Sequence, residues 1–245
     1  MAFIEGRNAV VEALRAGMPL QRVLLAEGTK PDRTLDEIAR RADEAGVSVV
    51  RAPKRDLDAK SERGAHQGVV AEAAPYSYAS LDAVLARTEG KARSLIIALD
   101  HVTDPGNLGA IVRTAEVVGA DGVLVANRRA AAVTPAAYKA SAGALAHVSL
   151  AQEANLVRSL TKCKQAGYWI AGASEHAEQT VWEAALEGRL VLVMGSEGEG
   201  LARLTRETCD FLVRLPQAGK VGSLNVAQAT TAIAYEWLRR SASAK

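Results

Sequence analysis

Cysteine is scarce: Cys163 and Cys209 are the only two in 245 residues, 46 positions apart and in no CxxC pattern. That spacing argues against a disulfide scaffold or a cysteine-rich zinc site and suits reduced, structural thiols in a cytoplasmic protein. The four histidines, His66, His101, His147 and His176, are scattered and form no HxxxH pair to hold a metal. Aromatic residues make up 4% of the chain, too few for a stacking platform built from several rings. No apolar run approaches the roughly 18 residues of a membrane span, and MAFIEGRN has no signal-peptide core. A charge excess is missing too. Thirty Lys+Arg against 28 Asp+Glu leave a net charge of +2, so only a local patch can announce a polyanionic partner. The remainder is ordinary: 49% hydrophobic and 24% charged residues suit a folded chain of one large or two modest domains.

Residues 1–74 read as a compact α/β unit. EGRNAVVEALRAG sets Val10, Val11 and Leu14 at helical spacing and stops at Gly17, and TLDEIARRADEAG repeats the pattern with Leu35, Ile38 and Ala42. RVLLA (22–26), VSVVRA (47–52) and QGVVAEA (67–73) read as three strands, with KRDLDAKS a short helix between the last two. Charges balance over residues 1–80, yet Arg51, Lys54, Arg55, Lys60 and Arg63 crowd one segment. That segment is either a solvated surface or a phosphate-contacting edge. PYSYASLDAVLARTEGKAR (75–93) reads as a linker closing with a short helix. From Ser94 to residue 245, apolar strands (SLIIALD, GVLVA, YWIAGAS, LVLVMG, FLVRLP) alternate with helical segments. The expectation is a parallel sheet covered on both faces.

Three segments place Gly, Asn, Ser or Glu just after a strand, where open α/β sheets bind ligands. In ALDHVTDPGNLGAIVRTAE, the turn Asp104-Pro105-Gly106-Asn107 places Asn107 to cap a helix. Arg113 falls within that helix's apolar stripe, where an ion pair with Glu116 is the plainer reading. In LVMGSEGEGL, Gly195, Gly198 and Gly200 allow close backbone approach and frame Glu197. Neither GxGxxG nor the Walker lysine is present, so the nucleotide-binding signatures fail. In VRLPQAGKVGSLNVAQATTAIAYEWLRR, Ser223 and Asn225 lead into a helix on which Val226, Ala229, Ile233 and Trp237 make a stripe, either core or an oligomer face.

Together, in this order and at these strand ends, DPGNLGAIVRTAE, MGSEGEGL and LPQAGKVGSLNVAQATTA closely resemble the three motifs of the SpoU (TrmH) branch of the SPOUT methyltransferases. The resemblance spans roughly residues 94–240, and FIEGRNAVVEAL through HQGVVAEA resembles the ribosomal-protein-like RNA-binding domain attached to many of these enzymes. It implies an α/β fold: a C-terminal domain with a deep trefoil knot that holds S-adenosylmethionine, behind a small N-terminal RNA-binding domain. It also implies ribose 2′-O-methylation of RNA by a homodimer paired through the C-terminal domain, with no metal and no membrane.

The combination of domains is most similar to the bacterial enzymes that modify a guanosine in the peptidyl-transferase loop of 23S rRNA; tRNA or another rRNA site is the alternative. The family's cofactor positions match Met194, Gly195, Leu215, Pro216 and Leu224, and its functional polar residues match Asn107, Arg113, Glu197, Ser223 and Asn225. A guanidinium stays protonated far above neutral pH. Arg113 is therefore expected to clamp phosphate and hydroxyl rather than act as a free base. Two other readings compete: a non-catalytic RNA-binding ribosome-assembly factor and a nicotinamide-dependent oxidoreductase. Intact polar motif residues oppose the first, and the absent GxGxxG opposes the second.

Overall fold

In the computed structural model the chain is described over residues 2–61, 64–220 and 222–243. It divides into two units, Met1–Ser77 with Val133–Gly143, and Tyr78–Ala132 with Ala144–Lys245.

The first unit contains β1 (Ala2–Glu5), α1 (Arg7–Arg15), β2 (Leu20–Ala26), α2 (Arg33–Glu44), β3 (Ser48–Ala52), α3 (Lys54–Asp58) and β4 (Val69–Ala73). Its sheet runs β1-β4-β2-β3, with β4 antiparallel to both neighbours and β2 parallel to β3. The sequence predicts only three of these strands. β1 escapes because four residues are too few to show alternation; pairing with β4 defines it. α1 ends at Gly17, whose φ of 66° is the left-handed turn glycine supplies cheaply. α2 is capped by Asp32, whose Oδ1 accepts from the Leu35 amide at 2.9 Å. Val10, Val11, Leu14, Leu35, Ile38 and Ala42 pack on Val23, Val69 and Ala71 over one sheet face.

On the other face Leu57 of α3 covers Leu24, Ala26 and Val70. There Glu72, only 2% exposed, accepts from Arg22 Nε at 2.6 Å and Nη2 at 3.0 Å, with Lys60 Nζ 3.2 Å away. The Arg22 guanidinium above all, with Lys60, holds this carboxyl below its ordinary range. Lys60 also lies 4.9 Å over the Phe3 ring. The crowded basic segment is thus no row of free cations: Lys60 is committed to Glu72, and Arg55 stands 3.5 Å from Asp56. Arg51 and Lys54 are exposed, and Arg63 lies outside the described residues.

In the second unit α4 (Leu81–Arg87) precedes β5 (Ser94–Leu99), α5 (Pro105–Val117) and β6 (Gly122–Ala126). The chain then contributes α6 (Pro135–Ser141) to the first unit, where Tyr138 packs on the core and Lys139 pairs with Glu12 at 2.6 Å. It continues through β7 (Leu150–Glu153), α7 (Leu156–Gln165), β8 (Trp169–Ala173), β9 (Arg189–Met194), α8 (Arg203–Thr208), β10 (Phe211–Val213) and α9 (Val226–Ser243). The sheet order is β10-β8-β9-β5-β6-β7 and every pairing is parallel, as the apolar strands imply. β7 is not predicted, since LAQE carries only two apolar residues; its pairing with β6 sets it.

One expectation is corrected here and another is narrowed. The cap of α5 is Asp104, whose Oδ1 accepts from the Asn107 amide at 2.7 Å. Pro105 fits the first helical turn, where no amide hydrogen is required. The helix therefore starts earlier and leaves the Asn107 side chain free for other use. The α9 stripe, read as core or oligomer face, is core: Val226, Ile233 and Trp237 are buried and Ala229 is half-buried. α9 packs beside α5, and the Thr114 and Thr231 hydroxyls meet at 2.7 Å. Cys163 and Cys209 are free thiols, both pushed up to about 12 by burial. Among the described residues no helix is long and apolar enough to cross a membrane.

Candidate active site

β5 leads through α5 to β6 on one side of the sheet, while β9, reached much later in the chain, lies on the other. Where strand order reverses in this way, connections diverge and leave a crevice at the carboxyl ends. The loop after β9 fills that position. Ser196 and Gly200 exchange both backbone hydrogen bonds, at 3.1 and 3.0 Å, folding Gly195–Leu201 back on itself. A Cβ at Gly195 would stand 2.2 Å from the Gly200 carbonyl carbon, so no other residue permits this return. Asp100, just past β5 and only 3% exposed, accepts from the Ala202 amide at 2.8 Å and stands 2.7 Å from His101 Nδ1. It pins the returning chain. A single Asp after a strand carries no signature, which is why the sequence does not single it out.

The resulting cleft of about 1080 Å³, its open mouth included, is lined by Met194, Gly195, Glu197, Leu215, Ser223 and Leu224 among the sequence-predicted residues. Pro216 does not line it, although Leu215 and Gln217 on either side do. Leu201, Val213 and Ile233 extend the apolar wall, and Ser174, Glu175, His176, Glu199 and Arg206 add polar groups that sequence reasoning missed. Ser174, Glu175 and His176 follow β8 and Arg206 lies on α8, segments without a recognisable motif, whereas Glu199 stands inside the second motif, two residues past Glu197.

Beside the cleft, Glu197 Oε1 accepts from Asn107 Nδ2 at 3.2 Å, Asn225 Nδ2 at 2.7 Å and the Val226 amide at 3.2 Å. Asn225 Nδ2 also donates to Asn107 Oδ1 at 2.8 Å, closing a triangle of three side chains from the three motifs. Asn225 serves two ends at once: its Oδ1 accepts from the Ala227 amide at 2.9 Å, capping α9, while its amide group joins the triangle. Ser223 is exposed at the cleft wall. Arg113 is exposed on α5 rather than part of its buried stripe, and among the described residues its side chain makes no hydrogen bond or ion pair, with Glu116 or with the triangle. The triangle fixes the direction of one carboxylate. Its Oε1 is saturated by three donors, which leaves Oε2 to meet a ligand.

The sequence profile of the SpoU rRNA Methylase family matches residues 94–235. The chain belongs to this family. A second profile, described as RNA 2′-O ribose methyltransferase substrate binding, matches residues 3–79. An uncharacterized tRNA/rRNA methyltransferase of Mycolicibacterium vanbaalenii is 41% identical over 243 residues, 99% of this chain and 77% of that one. The putative TrmH family tRNA/rRNA methyltransferase YacO of Bacillus subtilis is 39% identical over 239 residues, 97% of this chain and 95% of that one. Among solved structures, the SpoU methyltransferase AviRb of Streptomyces viridochromogenes, in complex with S-adenosylmethionine, is similar with a TM-score of 0.64. It is 27% identical, with 97% of this chain and 89% of that chain covered.

The fold is that of the SpoU methyltransferases, and the family's methyl donor is S-adenosylmethionine. The cleft suits that molecule. Met194, Leu201, Val213 and Leu224 offer an apolar wall for a purine, and the Gly195 turn lets backbone close on it. Carboxylates of Glu175, Glu197 and Glu199 face the same space, complementary to a sulfonium cation. Among the described residues no three His, Cys, Asp or Glu side chains gather as a metal site.

Proposed function

We propose that this protein methylates a ribose 2′-hydroxyl in RNA at a guanosine of the 23S rRNA peptidyl-transferase loop, working in the cytoplasm as a homodimer. The observation that carries the reading is the Asn107–Glu197–Asn225 triangle beside the Gly195 turn, which joins three distant segments around one oriented carboxylate. In this reading Met194, Gly195, Leu215 and Leu224 hold the cofactor, with Pro216 fixing the chain behind Leu215. When bound, S-adenosylmethionine supplies an electrophilic methyl group on sulfur. The chain's own task is alignment: holding the ribose so that its oxygen is in line with that methyl carbon. Asn107, Glu197, Ser223 and Asn225 orient the ribose, and the Arg113 guanidinium clamps the adjoining phosphate and polarises the hydroxyl, with the proton passing to phosphate. The first unit, similar over residues 3–79 to a substrate-binding domain, docks the RNA.

The α9 stripe is used inside the second unit, so the pairing surface must lie elsewhere. Val117 on α5 and Tyr235 on α9 are 55% and 47% exposed on two helices that pack together. They supply the apolar surface for an interface on the order of 800 Å² per partner. Light scattering at low micromolar protein should give twice the chain mass; a single-chain mass with activity retained would overturn the dimer.

Ribose-methylation mapping of total RNA from cells with and without the protein tests the substrate. One 2′-O-methyl mark should disappear from the peptidyl-transferase loop. A mark lost from tRNA instead would replace this substrate, and no mark lost would leave the assembly-factor reading. Arg113→Ala should keep fold and cofactor affinity while losing most methyl transfer; near-wild-type turnover would remove Arg113 from the reaction.

A further inference from the structure

The carboxyl ends of β5 and β6 carry two adjoining loops, joined where the Ala131 amide donates to the Val102 carbonyl at 2.8 Å. At its start the second loop is held by the Asn127 amide on the Glu153 carbonyl, at 2.9 Å. Each loop contains a non-glycine residue in the left-handed region, His101 at φ 60° and Arg129 at φ 53°. Such backbone is unfavourable for a residue with a Cβ and persists where surrounding bonds impose it. Between the two anchors Arg128 and Arg129 are exposed, and among the described residues neither guanidinium has an acidic partner. The nearest acid on β7, Glu153, turns its Oε1 to the Leu81 amide at 3.0 Å, and Asp104 uses Oδ1 to cap α5. Two consecutive uncompensated guanidiniums thus stand on a loop anchored at both ends. The neighbouring loop leads directly into Asn107.

We propose that Arg128 and Arg129 form a phosphate-binding rim that holds the RNA backbone beside the acceptor ribose. The proposal rests on the reading above that RNA is the substrate, and extends it to residues outside the three motifs. Guanidinium is matched to phosphate by its fork of donors and its weak hydration. An anchored loop does not have to be ordered when RNA arrives, so the entropic cost of binding falls on the RNA. Contacts of this kind carry no sequence information; they set the register of the strand.

The test is a salt titration of RNA binding by fluorescence anisotropy on the full chain, with Arg128 and Arg129 both changed to Gln. Two probes are used, an unmodified transcript of the 23S peptidyl-transferase domain and an unmodified tRNA transcript. Losing two phosphate contacts on unpaired RNA should lower the slope of log affinity against log salt by about 1.4. KM for RNA should rise, with affinity for S-adenosylmethionine unchanged. Arg203→Gln, at a guanidinium already paired with Glu207 at 2.7 Å, should leave the slope as it is. An unchanged slope and KM in the double variant would overturn the rim while leaving the RNA reading standing. Methylation of the tRNA probe alone, with the slope still reduced, would keep the rim and replace the 23S substrate. A wild-type protein that binds neither probe would overturn both.

Discussion

The two units of this chain differ in where charge stands relative to the sheet. In the first, cations are neutralised internally: Arg7 pairs with Asp32, Arg15 with Glu37 at 2.8 Å, Arg41 with Glu37 at 2.7 Å, and Arg22 with the buried Glu72 at 2.6 Å. In the second, ion pairs such as Lys164 with Asp210 and Arg203 with Glu207, both at 2.7 Å, lie on helices and loops around a sheet whose central strands are apolar, and among the described residues Arg113, Arg128 and Arg129 have no ion pair. The strands differ in the same sense. All six residues of β5 are buried, whereas the first four of β3 are exposed. A sheet sealed on both faces can do chemistry only at its strand ends, where loops need not pack. A sheet with an open edge keeps its charges for its own stability and offers the edge for contact.

The contrast can be broken by substitution. The largest effect is expected at the sealed sheet: Leu124→Ala, at a fully buried position of β6, should lower unfolding free energy by about 2–5 kcal/mol in urea denaturation. Gly195→Ala should weaken S-adenosylmethionine binding roughly 10- to 100-fold by calorimetry, because the added methyl forces the returning chain aside. Unaltered affinity would show that the loop relaxes without cost. Glu72→Gln should cost about 1–2 kcal/mol at neutral pH, the difference between a charge-assisted and a neutral hydrogen bond.

That last effect carries a pH signature. Glu72 has its folded-state titration lowered by Arg22 and Lys60, so its contribution is complete above the unfolded value of about 4.3. It is lost as pH falls through the lower folded value. The gap between wild type and Glu72→Gln should therefore narrow only in acid; a gap that persists there would mean lost packing rather than lost charge. The smallest effect belongs to the open edge, where Val50→Ala on β3 should change stability by less than about 0.5 kcal/mol. A larger cost would mean that β3 is covered in the working protein.

Strand positions were legible wherever apolar runs were long enough to encode burial, as in SLIIAL and RLVLVM. β1 and β7 were not, because their partners rather than their composition make them strands. The helical stripe of Val226, Ile233 and Trp237 was legible, but not the surface it would cover, since an amphipathic pattern gives a face and no address. Asn107, Glu197 and Asn225 could be named from the motifs, yet the bonds among them depend on distances no local pattern contains. Asp100 and the Arg128–Arg129 loop stayed invisible for the same reason: each matters through a contact with a loop on another strand.

The triangle has a consequence for how the protein is made. Its bonds span 90, 118 and 28 positions along the chain, so most of the sequence must be in place before any of them forms. Contacts this distant form late, after the loops between them have closed. During synthesis Asn107 and Glu197 emerge before Asn225, and nothing joins them to it until α9 has been made and docks against α5. Whatever chemistry the triangle serves therefore waits for α9 to join the fold.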